Sequence, residues 1–475
     1  MRLWPRQGRW ARLASQYVLQ WGTHDGQETT MTDPDEADLS PEEILREAET
    51  AFSKAARLFA TGHQEKSIIA FTEALELYSQ VEGTERQQAD CLNNAGVAFK
   101  MLGGHDEALD AYEVALDFYR DLPDTERQQA DCLANIGDAL NATKCYEPSL
   151  TAYSVALDFY RGLPGTERRQ AECLYNAGVT LNELGRHEES LTLYRKSLSL
   201  CQHLPGTERR QASCLINIGV ILCRLERYEE ALTVYEVALG LYRALPDAER
   251  ERADCLNNTG IVMYALGRRE ESLDYYRQAL DLYRDLPATK QQQADCLNCI
   301  GTVLRRTESD KEAVSAYRQA LDLYRDLPGT EQKQASCLKD TGRVLRRMGH
   351  HNEALVACRE ALGLYQHLPG TERDQAECLN GTGIALYALG RYEQAVAAYR
   401  QALDLSATCP VASGTGPPAH TISALHCTRQ AATRRRSPST SRPRRSTPSL
   451  TGAGSQEEVV HRKTKQRLPE TPTSR

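Results

Sequence analysis

One interval governs this chain. Cysteine recurs at Cys91, Cys132, Cys173, Cys214, Cys255, Cys296, Cys337 and Cys378, and every step is 41 residues. A fixed period of this size marks an architecture made by stacking one helical or mixed unit, because such a unit buries its apolar face only against its neighbours. The unit is plainest in LPGTERRQAECLYNAGVTLNELGRHEESLTLYRKSLSL, residues 163–200. Close copies begin near Leu122, Leu204, Leu245, Leu286, Leu327 and Leu368. A less regular copy covers Glu82 to Leu116, and an earlier one without the cysteine runs from about Ser40 to Tyr78. About nine units result, ending near Leu405, and they divide the chain into a leader (1–39), a repeat array (40–407) and a tail (408–475).

The periodic cysteines do not form a disulfide framework. None has a nearby Cys or His at metal-ligand spacing, and no clean secretory signal precedes them. Each is expected to be one small buried residue per unit, in a reducing, cytoplasmic setting. No apolar run approaches the roughly 20 residues that span a bilayer.

Each unit carries two helical patterns. In the fifth, Thr207 is the expected N-cap with Glu208 beside it, and Cys214, Ile218, Ile221 and Leu225 recur at helical spacing as one apolar stripe. The second helix is expected roughly from Glu229 to Leu245, with Ala231, Leu232, Tyr235, Ala238 and Tyr242 inward. The turn between the helices holds Gly103, Gly185, Gly267, Gly349 or Gly390, replaced by Lys144, Glu226 and Glu308 in three copies, where looser packing is expected. Leu-Pro followed by Gly or Asp then ends most pairs, since proline cannot extend a helix and glycine suits a left-handed cap.

Glycine inside an exposed helix is costly. The recurring Gly178, Gly219 and Gly260 therefore point to a second helix crossing closely, with the small row Ala115, Ala156, Ser197 and Ala238 facing them. One tyrosine row (Tyr112, Tyr153, Tyr194, Tyr235, Tyr276, Tyr317, Tyr399) and another two turns on (Tyr119, Tyr160, Tyr242, Tyr283, Tyr324, Tyr365) are expected to fill the core or wall a groove. Cys358 interrupts the first row and Cys201 the second. No cofactor is expected.

These units resemble tetratricopeptide repeats, whose minimal form has about 34 residues with small and aromatic residues at fixed positions. Ala171-Glu-Cys-Leu-Tyr-Asn-Ala-Gly178, Gly185, Ser190, Tyr194 and Ser197 align with that pattern, and Ala279 and Ala320 restore its usual alanine. Seven additional residues lengthen both helices, which is most similar to the repeats of kinesin light chains and of adaptor proteins that orient the mitotic spindle. The match covers about 365 of 475 residues. It implies an all-α, right-handed superhelical solenoid of antiparallel helix pairs, with the first helices lining a concave surface that takes up an extended or helical segment of another protein.

On that surface the resemblance puts Asn94, Asn135, Asn176, Asn217 and Asn258 at the floor position. An amide both donates and accepts, so such a ladder suits the backbone of an extended peptide; an inter-repeat or capping amide is the other reading. Cys299, Asp340 and Gly381 follow in register, and there the surface turns basic. Arg305 and Arg306 recur one unit later as Arg346 and Arg347, with Lys339 and Arg343 before them. Guanidinium forks favour an acidic peptide, a phosphoserine or a carboxylate; a merely solvated charged face is the alternative. The family's chaperone-tail carboxylate clamp is not reproduced, because the floor asparagines and the basic residues sit in different repeats.

The chain is not expected to be an enzyme. It has no Gly-x-Gly-x-x-Gly, no Walker A sequence and no His-Glu-x-x-His, and pairs such as Glu188-Glu189 sit where carboxylates stabilise a helix start. Its net charge of -8 is divided unequally: residues 408–475 carry 12 Lys or Arg against 3 Asp or Glu. That Ser/Thr/Pro/Arg-rich tail, with Arg434-Arg435-Arg436-Ser-Pro resembling a phosphorylation site, is expected to be disordered. It opens two other functions: autoinhibition, with the tail in the groove, and contact with nucleic acid or an anionic membrane. No aromatic residue interleaves with the basic run, which weakens the nucleic-acid reading. In the leader, Arg2, Arg6, Arg9 and Arg12 alternate with Leu3, Trp4 and Trp10 in a transit-like or interfacial pattern, while Met31 offers a second start. No small-molecule substrate is expected.

Overall fold

The computed structural model describes residues 39–408. The leader through residue 38 and the basic tail from residue 409 lie outside the described residues. Among the described residues there are eighteen α-helices and no strand. They form nine consecutive pairs: α1 (Pro41–Ala60) with α2 (Gln64–Tyr78), α3 (Glu85–Met101) with α4 (His105–Arg120), and α5 (Glu126–Ala142) with α6 (Tyr146–Arg161). Next come α7 (Glu167–Glu183) with α8 (His187–Gln202), α9 (Glu208–Arg224) with α10 (Tyr228–Ala244), and α11 (Glu249–Ala265) with α12 (Arg269–Asp285). The array ends with α13 (Lys290–Arg306) and α14 (Asp310–Arg325), α15 (Glu331–Arg347) and α16 (His351–Tyr365), then α17 (Glu372–Ala388) and α18 (Tyr392–Thr408).

Every helix packs on its pair partner and on the helix next in sequence. First helices of consecutive pairs also touch one another, as in α3 with α5, α13 with α15 and α15 with α17. The apolar core crosses the boundaries between pairs: one cluster runs from Ala55 to Ala177 and another from Leu191 to Cys378. The eight periodic cysteines are no more than 3% exposed, and both tyrosine rows are at most 4% exposed. No helix among the described residues is long and apolar enough to cross a membrane.

What meets the interior glycines differs from the expectation. A Cβ added at Gly96, Gly137, Gly219 or Gly301 lands within 2.4–2.8 Å of the ring of Tyr112, Tyr153, Tyr235 or Tyr317. The first tyrosine row, and not the small Ala115 row, takes the space that each glycine leaves. The serines of the second helix add to the approach where they occur: Ser149 and Ser190 donate to the Gly137 and Gly178 carbonyls at 2.7 and 2.6 Å.

Thr207 stands where expected, at the N-cap position with Glu208 opening α9, but its hydroxyl is used differently: the side chain makes no cap hydrogen bond. Its hydroxyl instead donates backwards to the carbonyls of Cys201 (2.6 Å) and Leu204 (2.8 Å). Gln211 Nε2 donates to the same Cys201 carbonyl at 3.1 Å. The carbonyls at the end of a helix lack intrahelical partners, and burying them between pairs is costly, so the hydroxyl proton goes there. The same clip joins Thr289 and Gln293 to Tyr283, and Thr330 and Gln334 to Tyr324.

The glycine-free turns keep the glycine conformation. Lys144, Glu226 and Glu308 have φ of 62°, 59° and 62°, alongside 83° at Gly103 and 75° at Gly185. Packing imposes the turn even where the side chain opposes it.

Candidate partner-binding site

The expected floor asparagines are half-buried on the first helices. Three of them join consecutive repeats: Asn135 Nδ2 donates to Asn93 Oδ1 (3.2 Å), Asn176 Nδ2 to Asp138 Oδ1 (2.9 Å) and Asn217 Nδ2 to the Tyr175 hydroxyl (2.8 Å). Asn94 Nδ2 turns back to the Asp90 carbonyl at 2.9 Å. Each of these four amides thus makes one hydrogen bond within the array. Asp138 is a hub on this face, receiving the Tyr153 hydroxyl at 2.6 Å and the Lys100 ammonium at 3.0 Å.

The six basic residues fall into two groups. Arg305 Nε donates to the Tyr317 hydroxyl at 3.4 Å, while Arg306 is exposed. Arg347 grips Asp310 with both arms of its fork, Nε to Oδ2 at 2.8 Å, and donates to the Arg305 carbonyl at 2.9 Å. That bidentate bond holds its guanidinium above its ordinary pKa. Arg346, its neighbour in sequence, belongs elsewhere. With Lys339 and Arg343 it lines a pocket of about 210 Å³ between α15, α16 and α17, completed by Cys358, Glu377, Cys378, Asn380 and Gly381.

The three cations of this pocket are not equivalent. Lys339 bonds Asp374, lies 3.5 Å from Glu377 Oε2 and sits over the Tyr365 ring. Burial works against its charge, but the Asp374 bond and the neighbouring Tyr365 and Glu377 outweigh it and raise the pKa. Arg343 meets Glu377 at 3.3 Å and Asp340 at 3.5 Å. Among the described residues, Arg346 Nε is buried with no hydrogen-bond partner. Burial, aided by the like charge of Arg343, lowers its pKa.

A larger depression of about 580 Å³ lies between α6, the C-terminal end of α7 and α8, lined by Leu150, Val155, Leu181 and Leu193 with Arg186, Glu147 and Glu189. Its one cation is spent, since Arg186 pairs with Glu189 at 2.6 Å. It gathers none of the candidate residues. Among the described residues, no group of three or more His, Cys, Asp or Glu is placed to hold a metal ion.

A family model described as tetratricopeptide repeat matches residues 46–121, 128–203, 210–285, 292–366 and 342–407. The chain belongs to the tetratricopeptide repeat family. The apo form of RapI superposes with a TM-score of 0.56 at 13% identity, covering 77% of this chain and 97% of that one. The apo quorum sensor NprR from B. thuringiensis superposes with a TM-score of 0.50 at 16% identity, covering 76% and 99%. At such identities the likeness is one of fold. No curated protein matches the chain by sequence.

Within the tetratricopeptide array, sequence reasoning missed the acids that hold the basic residues: Asp310, Asp340, Asp374 and Glu377. It also missed the pocket itself. The signal lay in two departures from the repeat, Cys358 and Gly381, but nothing in a linear pattern says that they meet.

Proposed function

We propose that this tetratricopeptide array is a non-enzymatic scaffold that holds a peptide segment of another protein against its first helices and prefers an acidic segment at its C-terminal end. The observation that carries it is the pocket between α15, α16 and α17, into which Lys339, Arg343 and Arg346 of α15 converge. The contacts among consecutive first helices support an inner face built from those helices, since the closer row of a curved stack lies inside. Of the exposed cations Arg306, Arg343 and Arg347, the first two are not gripped in a bidentate bond, so a carboxylate or phosphate reaches them first. Arg347 is less available because Asp310 already holds it.

Capture of amidated decapeptides from a degenerate pool by the full chain tests this. Peptides enriched in Asp and Glu are expected, and Arg306→Glu with Arg343→Glu should remove the enrichment while leaving the helical signal intact. Capture without charge bias would sink the basic end as a site; no capture at all would sink the scaffold.

Autoinhibition keeps one observation in its favour, the charge contrast between a tail at +9 and the remaining chain at -17. The sign of the pocket opposes it there: a basic tail is repelled by Lys339, Arg343 and Arg346, so the tail would have to lie against the acidic repeats.

A further inference from the structure

The first-row tyrosine is a repeating structural element, and the eighth helix pair lacks it. Tyr317 lies over Gly301 and its hydroxyl takes the Arg305 Nε proton. One repeat later the counterpart of Arg305 is Arg346, that of Gly301 is Gly342 and that of Tyr317 is Cys358. The glycine seat is kept: a Cβ at Gly342 would meet Cys358 Sγ at 2.8 Å. The ring is gone, and with it the hydroxyl. A second loss coincides with the first. Gly381 stands where earlier repeats carry the asparagine ladder, and a Cβ there would lie 3.1 Å from Cys358 Sγ and 4.0 Å from Arg346 Nε.

Both missing side chains thus open onto the same guanidinium. The pocket of about 210 Å³ and the buried, unpartnered Arg346 Nε are the two consequences. At about 30 Å³ per water it has room for roughly seven waters, enough for a short side chain. Asn380 lines the wall with its Oδ1 also unpartnered, and an amide can turn its NH₂ toward an anion.

We infer that this pocket receives a single carboxylate carried by a peptide, with Arg346 as its principal partner. This rests on the scaffold function proposed above and names the chemistry of one of its subsites. Charge selects a monoanion. Lys339 and Arg343 already meet Asp374, Glu377 and Asp340, so Arg346 is the cation of the three without an acid partner among the described residues. The acids are partly exposed and screened by water, whereas the Arg346 Nε is sealed from it; one added negative charge is tolerated and two are disfavoured.

Two variants test this in the full chain. Cys358→Tyr rebuilds the ring of the other repeats, closes the pocket and gives Arg346 a hydroxyl without changing any charge. Arg346→Gln removes the charge and keeps most of the volume. The probes are amidated decapeptide pools with a fixed central Glu, Gln or phosphoserine, a Gln pool with a free C-terminal carboxylate, and N-acetylglutamate α-amide alone. Wild type is expected to prefer the Glu pool over the Gln pool by roughly tenfold, the value of one charge-assisted hydrogen bond. Both variants should lose that preference, and the small amide should raise the wild-type Tm only. If the free-carboxylate pool is preferred over the Glu pool, the carboxylate is a chain terminus. A phosphoserine preference above Glu overturns the monoanion. Equal capture of Glu and Gln pools overturns the inference and leaves the scaffold standing, whereas binding of the small amide with no pool captured retains a carboxylate pocket and overturns the peptide.

Discussion

Gly219→Ala should destabilise the array although alanine is the better helix former. An added Cβ at Gly219 falls 2.4 Å from Tyr235 Cε1, 2.6 Å from Cζ and 2.9 Å from Cδ1. Ordinary carbon contact needs about 3.5–4.0 Å, so the ring has to shift by about 1 Å. It has nowhere to go, since Tyr235 is 1% exposed and packed within the large cluster. Overpacking of this kind costs about 1–3 kcal/mol, against about 1 kcal/mol gained in helix propensity. Gly240→Ala supplies the internal control. Gly240 is exposed in the neighbouring α10 and a Cβ there meets nothing within 4 Å among the described residues, so only the gain of about 0.5–1 kcal/mol applies. The contrast between the two variants isolates the steric cost at about 1–3 kcal/mol. Repeat arrays open in parts, so the measurement is native-state hydrogen exchange at α9 and α10. Equal protection in Gly219→Ala and Gly240→Ala would refute the claim that the tyrosine row requires the glycine row.

Two further outcomes follow from the same geometry. Lys144→Gly, Glu226→Gly and Glu308→Gly each relieve a left-handed turn, with φ near 60°, and should each stabilise by about 1 kcal/mol in thermal unfolding; unchanged melting would mean that these turns carry no strain. Burial pushes the Cys214 thiol up to about 11 and those of Cys255 and Cys337 up to about 12. A raised thiol pKa means less thiolate at a given pH, so alkylation of the native chain at pH 8 should mark the exposed Cys145 and spare these three until urea is added. Labelling of Cys255 at the rate of Cys145 would contradict their burial.

Much of the fold is legible in the letters because each position recurs many times. A cysteine, a glycine or a tyrosine that returns at one interval reports its helix, its face and its burial repeatedly, so chance patterns average out. Periodicity is blind, however, to which of two equally periodic rows touches a third. The small row at Ala115 and the ring row at Tyr112 return together, and only packing assigns the glycine seat to the ring. The direction of a hydroxyl proton is equally hidden, which is why Thr207 reads as a helix cap and acts as a clip on the preceding pair. Adjacent letters can also part company: Arg346 and Arg347 look like one basic patch, yet one enters a pocket and the other is held by Asp310.

The amino-acid sequence alone determined that this chain stacks helix pairs, because a pair with one apolar face has no other way to bury it. It also determined where the array turns basic, since charge travels with the residue. Which of those charges stay unsatisfied was decided by the tertiary structure. Hydrogen bonds and ion pairs form between neighbouring helices across some 35–42 residues of chain, at distances set by how the helices settle. Two small residues, Cys358 and Gly381, leave a hole beside Arg346 only because α16 and α17 pack side by side, and that adjacency exists in space alone.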